Sequence, residues 1–465
     1  MLFTSLGFLQ FFPIVCIIYY LIPKRIRWGY LLAVSYLFYI NWQPIYAILL
    51  LGVTAVTYFC AVAIGITGIS ARRKKLYLNI GCILPLLLLG IFKYYDFINQ
   101  SVFQLLDTVG LHWQMPELKI LLPIGISFYT FMAVGYLVDV YRGTIIAARN
   151  FCYYALFLSY FPQITSGPIG RANQLLPQFR NPASLSYDDF ISGLRMMVWG
   201  YFMKLCVADR LSMYVDAVYA NIPQHNGTTV LLASLFYTMQ IYGDFAGYSF
   251  IAIGASRIMG IRLMDNFKRP YFASNIKEFW GRWHISLSIW FRDYVYIPLG
   301  GNRVSPGRHI FNLLFTFLVS GLWHGAAWHY ILWGGEHGIF QIIAISYKKI
   351  NLRLHIPIII NILFTFACVN FAWILFRADT GQALNIYAKI FTSAGTPFLD
   401  IPVFSMGLMS LSILFVKDMH DEYGWGVNLL ASKSRIISYT TIIALIVYIL
   451  LFGVLDGGQF IYFQF

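Results

Sequence analysis

Histidine 324 is the residue whose type and surroundings most clearly allow chemistry. Residues 320–328 read SGLWHGAAW, inside a mostly apolar stretch at 310–347. A polar histidine is costly in hydrocarbon, so such a residue is a functional candidate by default. Apolar surroundings favour the neutral imidazole, which can take a proton from a hydroxyl as a general base. We therefore predict that His324 is catalytic, with a histidine that only hydrogen-bonds between helices as the alternative.

Three further ionisable groups are candidates on the basis of their sequence surroundings, two of them shortly after His324 and one forty residues before it. Glu336 and His337 lie in GGEHG at 334–338, again within an apolar run, and His284 lies in WHIS at 283–286. We predict His284 as a second catalytic histidine. For Glu336 and His337, structural pairing with each other or with His324 is favoured over a role in the substrate tunnel.

The segment 257–308 differs from the apolar sequence on both sides of it. It holds nine Lys and Arg residues against three acidic ones, a local net charge of +6, with tryptophan, phenylalanine and tyrosine interleaved. This pattern predicts amphipathic helices at the cytoplasmic membrane surface. The segment could anchor the chain to lipid or form a basic vestibule for an anionic substrate, and the two roles are compatible. Candidate substrate or tunnel residues, besides Glu336 and His337, are Arg282, Trp283, Arg292, Asp293 and Trp323.

The composition sets the class of protein that must position these residues. Hydrophobic residues make up 59% of the 465 and charged residues only 11%, where a soluble globular chain carries about 25%. This excludes an ordinary soluble enzyme, a disordered chain and a fibrous protein. Long apolar runs favour helices over a barrel, so we predict an all-α polytopic membrane protein with about 10–12 transmembrane helices. Re-entrant or interfacial helices would surround a central tunnel, and residues 1–465 would form one membrane domain.

The net charge of +14 does not indicate a nucleic-acid partner, because the basic residues fall in short clusters between apolar runs. Such clusters are typical of cytoplasmic loops. Lys24 and Arg25 follow the first apolar run, so we expect an uncleaved first helix with its N-terminus outside the cytoplasm. Residues 94–118 are polar and mixed in charge and are predicted to be an outside loop, whereas 310–347 should enter the membrane and return.

Several motifs together resemble the membrane-bound O-acyltransferase superfamily, most closely its bacterial alginate O-acetyltransferase-like branch. The Trp-His pair at 283–284 stands forty residues before SGLWHGA at 320–326. The resemblance covers residues 1 to about 376 and includes FPQ at 161–163, GPI at 167–169, Lys204 with Ala208-Asp209, DFAGYS at 244–249, FW at 279–280, FRDY at 291–294 and YIPLGGNR at 296–303.

The resemblance implies an acyltransferase of the cell inner membrane. An acetyl group would pass from a cytoplasmic thioester, acetyl-CoA or another acyl thioester, toward hydroxyls of an extracytoplasmic polysaccharide or peptidoglycan. In the family the second histidine of the pair is the essential one and corresponds to His324, and the first corresponds to His284. An extracytoplasmic SGNH-type acetyltransferase partner is implied, besides membrane lipids. No bound cofactor is implied.

Three alternatives stay open at this point. The chain could transfer D-alanine from a carrier-protein thioester to teichoic acid, act as a secondary transporter, or be a non-catalytic scaffold of a polysaccharide export complex. A transporter would often show internal repeats, and none is visible in the sequence. No HExxH, P-loop or GxSxG motif occurs near the candidate residues, so no metal site is predicted.

Overall fold

In the computed structural model, the described residues are 2–42, 44–113, 115–118, 120–350, 356–425, 429–432 and 434–455, with only the backbone described at 348–350. Within these ranges all regular structure is helical, as predicted. Six of the helices found there are long and apolar enough to cross a membrane: Pro44–Ile64, Ala71–Thr108, Tyr187–Ala220, Ile358–Arg377, Ile401–Tyr423 and Arg435–Phe452. The chain is therefore polytopic, while the larger predicted number of crossings and the central tunnel stay predictions.

The described residues divide into two compact units. The first contains Met1–Phe190 and Ala255–Met264. Its helices are α1 (Leu6–Leu21), α2 (Arg27–Ile40), α3 (Pro44–Ile64), α4 (Ala71–Leu89), α5 (Tyr95–Thr108), α6 (Ile126–Tyr141), α7 (Phe151–Ser159), α8 (Phe161–Ile164) and α9 (Ala172–Arg180). The prediction of a single domain over 1–465 includes residues outside the described ranges and stays a prediction.

The second unit contains Ile191–Gly254 and Asp265–Phe465 and holds all the candidate site residues. Helices α10 (Tyr187–Tyr201) and α12 (Gly227–Ile258) each cross a unit boundary. The other helices are α11 (Asp209–Ala220), α13 (Ile276–Arg282), α14 (Ile285–Phe291), α15 (Pro306–His324), α16 (Trp328–Ile350), α17 (Ile358–Arg377), α18 (Thr380–Thr392), α19 (Ile401–Tyr423) and α20 (Arg435–Phe452).

The prediction of an outside loop over 94–118 is wrong for most of its length. Helix α4 continues through a π-helical turn into α5, so that Ala71–Thr108 is one helical run. The polar residues that suggested a loop bond instead to the coil that follows. Asn99 Nδ2 donates to the Met115 carbonyl at 2.7 Å, and Asp96 Oδ1 accepts from the Leu118 amide at 2.9 Å.

The segment 257–308 contains two helices of only seven residues, α13 and α14, followed by a π-helical turn. Six of its nine basic side chains are exposed, whereas Trp283 and His284 are fully buried. Its aromatic residues are therefore largely packed into the fold and do not form an open surface belt. The cytoplasmic position of the segment stays a prediction.

Candidate active site

A tight helical hairpin, α15 and α16, positions His324. Pro306 occupies the first turn of α15, where a missing amide hydrogen is tolerated. A Cβ atom at Gly321 would overlap the Tyr330 carbonyl, and one at Gly334 would overlap the Phe317 carbonyl. Glycine at both places lets the two backbones touch. The hairpin confirms that the chain reverses direction within 310–347, and its entry into the membrane stays a prediction.

His324 is the last residue of α15, because Gly325 adopts an extended backbone and ends the helix. The helix places His324 eighteen residues after Pro306, a rise of about 27 Å. The side chain is 2% exposed. Its ring centre lies 4.9 Å from Trp323, 5.0 Å from Trp333 and 5.5 Å from Phe376.

His284 lies beside His324, although forty residues separate them in the chain. Their ring centres are 6.4 Å apart, and Trp323 lies 6.0 Å from His284. His284 is also fully buried, and its ring centre lies 4.6 Å from that of Phe245 of α12 in a T-shaped arrangement. The structure therefore brings both predicted catalytic histidines into one buried aromatic cluster.

Trp283 and Trp323 are both part of this cluster. Trp283 is fully buried and its ring centre lies 4.9 Å from Trp373 of α17. The ring centre of Trp323 lies 6.0 Å from that of His284 and 4.9 Å from that of His324, and Trp323 is 4% exposed. Trp323 thus contacts both histidines directly, whereas Trp283 packs against the aromatic residues around them.

A cavity of about 140 Å³ lies between α14 and α15, next to the histidine cluster. Its wall is almost entirely apolar and is formed by Trp280, Leu287, Ser288, Phe291, Arg292, Tyr296, Leu313, Thr316, Phe317 and Ser320. Ser320 precedes His324 by four residues, so both lie on the same face of α15. His284 lies directly before α14. The cavity therefore adjoins the turns from which both histidines extend.

Arg282 is engaged in an ion-pair group and is not part of the cavity wall. Its guanidinium donates to Glu278 and to both carboxylate oxygens of Glu422, at 2.8 and 2.9 Å. Burial would raise the pKa of Glu278, but bonds from Ser274 and Arg282 outweigh it and hold that pKa below its usual range. Glu278 is therefore ionised at neutral pH, and Arg282 has a structural pairing.

Arg292 is the charged residue of the cavity wall, and it pairs with the neighbouring Asp293. The Arg292 side chain is 58% exposed, and its Nε donates to Asp293 Oδ1 at 2.8 Å. Arg292 also lines the cavity. Of the predicted basic site residues, it is the one that combines exposure with a position on the cavity wall.

Glu336 and His337 do not pair in the way the sequence suggested. His337 is fully buried, and its Nδ1 accepts a hydrogen bond from Trp280 Nε1 at 3.3 Å. Its ring lies 5.0 Å from Trp333, the same indole that contacts His324. Glu336 is partly buried on the neighbouring face of α16. Trp280 thus links His337 to the cavity wall.

Sequence reasoning missed the aromatic residues that complete the cluster. Trp333, Trp373 and Phe376 come from α16 and α17, and each packs against another of the three. Trp333 and His337 are four residues apart on one helical face, which was the available signal. The contribution of α17 depends on tertiary packing and left no comparable signal.

Comparison with known proteins decides between the classes left open by the sequence. The family model described as "MBOAT, membrane-bound O-acyltransferase family" matches residues 142–377, which include both histidines. The chain belongs to this family. It is an acyltransferase and a multi-pass membrane protein. Membership favours an enzyme over the transporter and the scaffold.

Individual relatives place the chain in the alginate O-acetylase-like branch. It is 40% identical to the probable alginate O-acetylase of Pseudomonas aeruginosa over 396 residues, 84% of this chain and 75% of the relative. It is 36% identical to the peptidoglycan O-acetyltransferase of Helicobacter pylori over 379 residues, 75% and 70% of the two chains. The teichoic acid D-alanyltransferase of Bacillus subtilis is 31% identical over 270 residues, 54% and 68%.

Proposed function

We propose that this O-acyltransferase moves an acetyl group from a cytoplasmic thioester, acetyl-CoA, to hydroxyls of a polysaccharide or peptidoglycan outside the cytoplasm, with His324 as general base. The enzyme would lie in the inner membrane with its N-terminus outside the cytoplasm. An SGNH-type acetyltransferase on the outer side would complete delivery to the polymer.

The observation that carries the proposal is the buried pair of histidines, 6.4 Å apart between ring centres. The cavity between α14 and α15 is lined by Leu287 and Ser320, about one helical turn from His284 and His324. In the proposed step, the acceptor oxygen attacks the thioester carbonyl while His324 takes the hydroxyl proton. The carbon–sulfur bond then breaks, and the proton passes to the leaving sulfur to give the free thiol. General-base help of this kind contributes about 10²–10⁴ in rate.

The surroundings of the pair suit a reactive thioester. Aromatic rings of Trp323, Trp333 and Phe376 pack around His324 and exclude water, which would otherwise hydrolyse the donor. Arg292 at the cavity wall offers a positive charge to an anionic donor such as coenzyme A. His284 would orient or assist on the donor side.

A second candidate function is transfer of D-alanine from a carrier-protein thioester to teichoic acid. The similarity to the Bacillus subtilis teichoic acid D-alanyltransferase favours it. The more extensive similarity to the two O-acetyl-transferring relatives, over 75–84% of this chain, favours acetyl transfer.

Inside-out membrane vesicles that contain the enzyme and its polymer separate the two functions. We expect release of free coenzyme A and label in the polymer when acetyl-CoA labelled in the acetyl group is supplied on the cytoplasmic face. A His324→Ala variant should give neither. Transfer from a D-alanyl carrier protein, without use of acetyl-CoA, would establish the alternative instead.

A further inference from the structure

The backbone at His284 has a conformation that residues other than glycine rarely adopt. Its φ is 42° and its ψ 53°, in the left-handed region, and Arg269 is the other non-glycine residue with positive φ in the part of the chain that the structure describes. Left-handed geometry is unfavourable for a residue with a Cβ atom. It persists where the surroundings fix it, often at functional sites.

Asn266 supplies the most direct of these constraints. Its backbone carbonyl accepts from the Ile285 amide at 3.0 Å. Its side-chain oxygen accepts from the Ser286 amide at 3.2 Å and from the Ser286 hydroxyl at 2.8 Å. Asn266 is 1% exposed, so these bonds form away from competing water. They fix the two residues that directly follow His284.

The amide nitrogen of the Asn266 side chain is hydrogen-bonded to helix α12. Its Nδ2 donates to the Ser249 hydroxyl at 3.1 Å. One turn earlier on the same helix, Phe245 places its edge against the His284 ring. The helix thus supports the imidazole directly and supports the backbone beneath it through Asn266.

A backbone hydrogen bond and two salt bridges fix the chain just before His284. The Lys268 amide donates to the Arg282 carbonyl at 2.9 Å, and Arg269 and Arg282 both bind Glu422 of α19. The left-handed turn at Arg269 and the one at His284 are therefore held in the same small network.

We propose that Asn266 is a positioning residue for His284: it holds the left-handed turn that directs the imidazole toward His324. The proposal rests on the proposed role of His284 in acyl transfer. Asn266 does not touch substrate in this account. Its loss should slow the chemical step while leaving donor binding intact.

Kinetics of Asn266→Ala in the full-length enzyme test the proposal. We expect kcat per mole of folded enzyme to fall at least about tenfold, because small misplacements of a reacting group have large effects. KM for acetyl-CoA should stay within about twofold. Asn370→Ala is the matched control, because Asn370 is also buried and bonds Ser234 and Thr238. It should lower Tm without lowering kcat.

The strained backbone can be tested without activity. His284→Gly should have a higher Tm than His284→Ala, the reverse of the usual order, because glycine adopts positive φ without strain. Ser286→Ala, which removes one of the bonds to Asn266, should lower kcat less than Asn266→Ala does.

The outcomes separate this inference from the proposed function. If His284→Ala has the kcat of the wild type, the role of His284 in catalysis is wrong. If His284→Ala is impaired but Asn266→Ala has unchanged kcat, only the positioning role is overturned. A Tm for His284→Ala equal to or above that of His284→Gly would also contradict the constraint described here.

Discussion

The two histidines of the candidate active site are held by opposite means. His324 ends a regular helix, and its place is set by the close crossing of α15 and α16 at Gly321 and Gly334. His284 lies between two seven-residue helices in a strained turn, and its place is set by side-chain hydrogen bonds and ion pairs.

This difference determines which changes each region tolerates. The hairpin depends on the absence of side-chain volume, so an added methyl group is the damaging change. The segment around His284 depends on specific polar partners, so their removal is the damaging change. The two halves of one site should therefore respond to different kinds of substitution.

Among the substitutions that compare the supports of the two histidines, the largest effect is expected from Gly321→Ala. The new Cβ atom would overlap the Tyr330 carbonyl and force α15 and α16 apart. We expect a loss of about 3 kcal/mol in stability and about 100-fold in rate from displacement of His324. Gly307→Ala on the same helix, where the added atom meets open space, is the control. Thermal unfolding measures the loss of stability, and acetyl transfer measures the loss of rate. If Gly321→Ala and Gly307→Ala behave alike in both assays, the close crossing does not position His324.

A smaller effect is expected from Glu422→Gln, which weakens the salt bridges of Glu422 to Arg269 and Arg282 in the chain before His284. Arg269 and Arg282 would lose a shared carboxylate, a change worth about 2 kcal/mol for charge-assisted bonds. Asp421→Asn, in the neighbouring Lys417–Asp421 pair, should change stability by less than about 1 kcal/mol. If both variants have the same Tm, the salt bridges of Glu422 with Arg269 and Arg282 do not stabilise the fold more than the Lys417–Asp421 pair does.

The smallest effect is expected at Arg292, the exposed end of the same segment. Its pair with Asp293 is solvent-accessible, so Arg292→Ala should change stability by less than about 0.5 kcal/mol. We expect KM for acetyl-CoA to rise about threefold at low salt and the difference to shrink at high salt. An unchanged KM for acetyl-CoA at low salt would contradict a role of Arg292 in attracting the donor.

The hairpin and its histidine could be predicted from the sequence, because basic residues at both ends of 310–347 and a histidine inside an apolar run are local signals. The prediction of a loop over 94–118 was wrong, because it rested on the polar, mixed-charge composition of the segment, whereas Asp96 and Asn99 bond the following coil. Local composition does not show whether a polar side chain faces water or a backbone group.

The region around His284 was the least predictable part of the site. Its net charge indicated a surface segment, yet Trp283 and His284 are fully buried. Asn266, Ser249 and Glu422 come from distant positions, and no spacing rule connects them. Trp373 likewise reaches the cluster from α17 only through tertiary packing.

The most direct test of the account is the acetyl-transfer rate of His324→Ala, measured on folded protein in the membrane. His112→Ala is the control, because the His112 side chain is 76% exposed and pairs only locally with Asp107. The account predicts that His324→Ala loses acetyl transfer while remaining folded, and that His112→Ala keeps the wild-type rate. A folded His324→Ala enzyme that transfers acetyl at the wild-type rate would contradict the account.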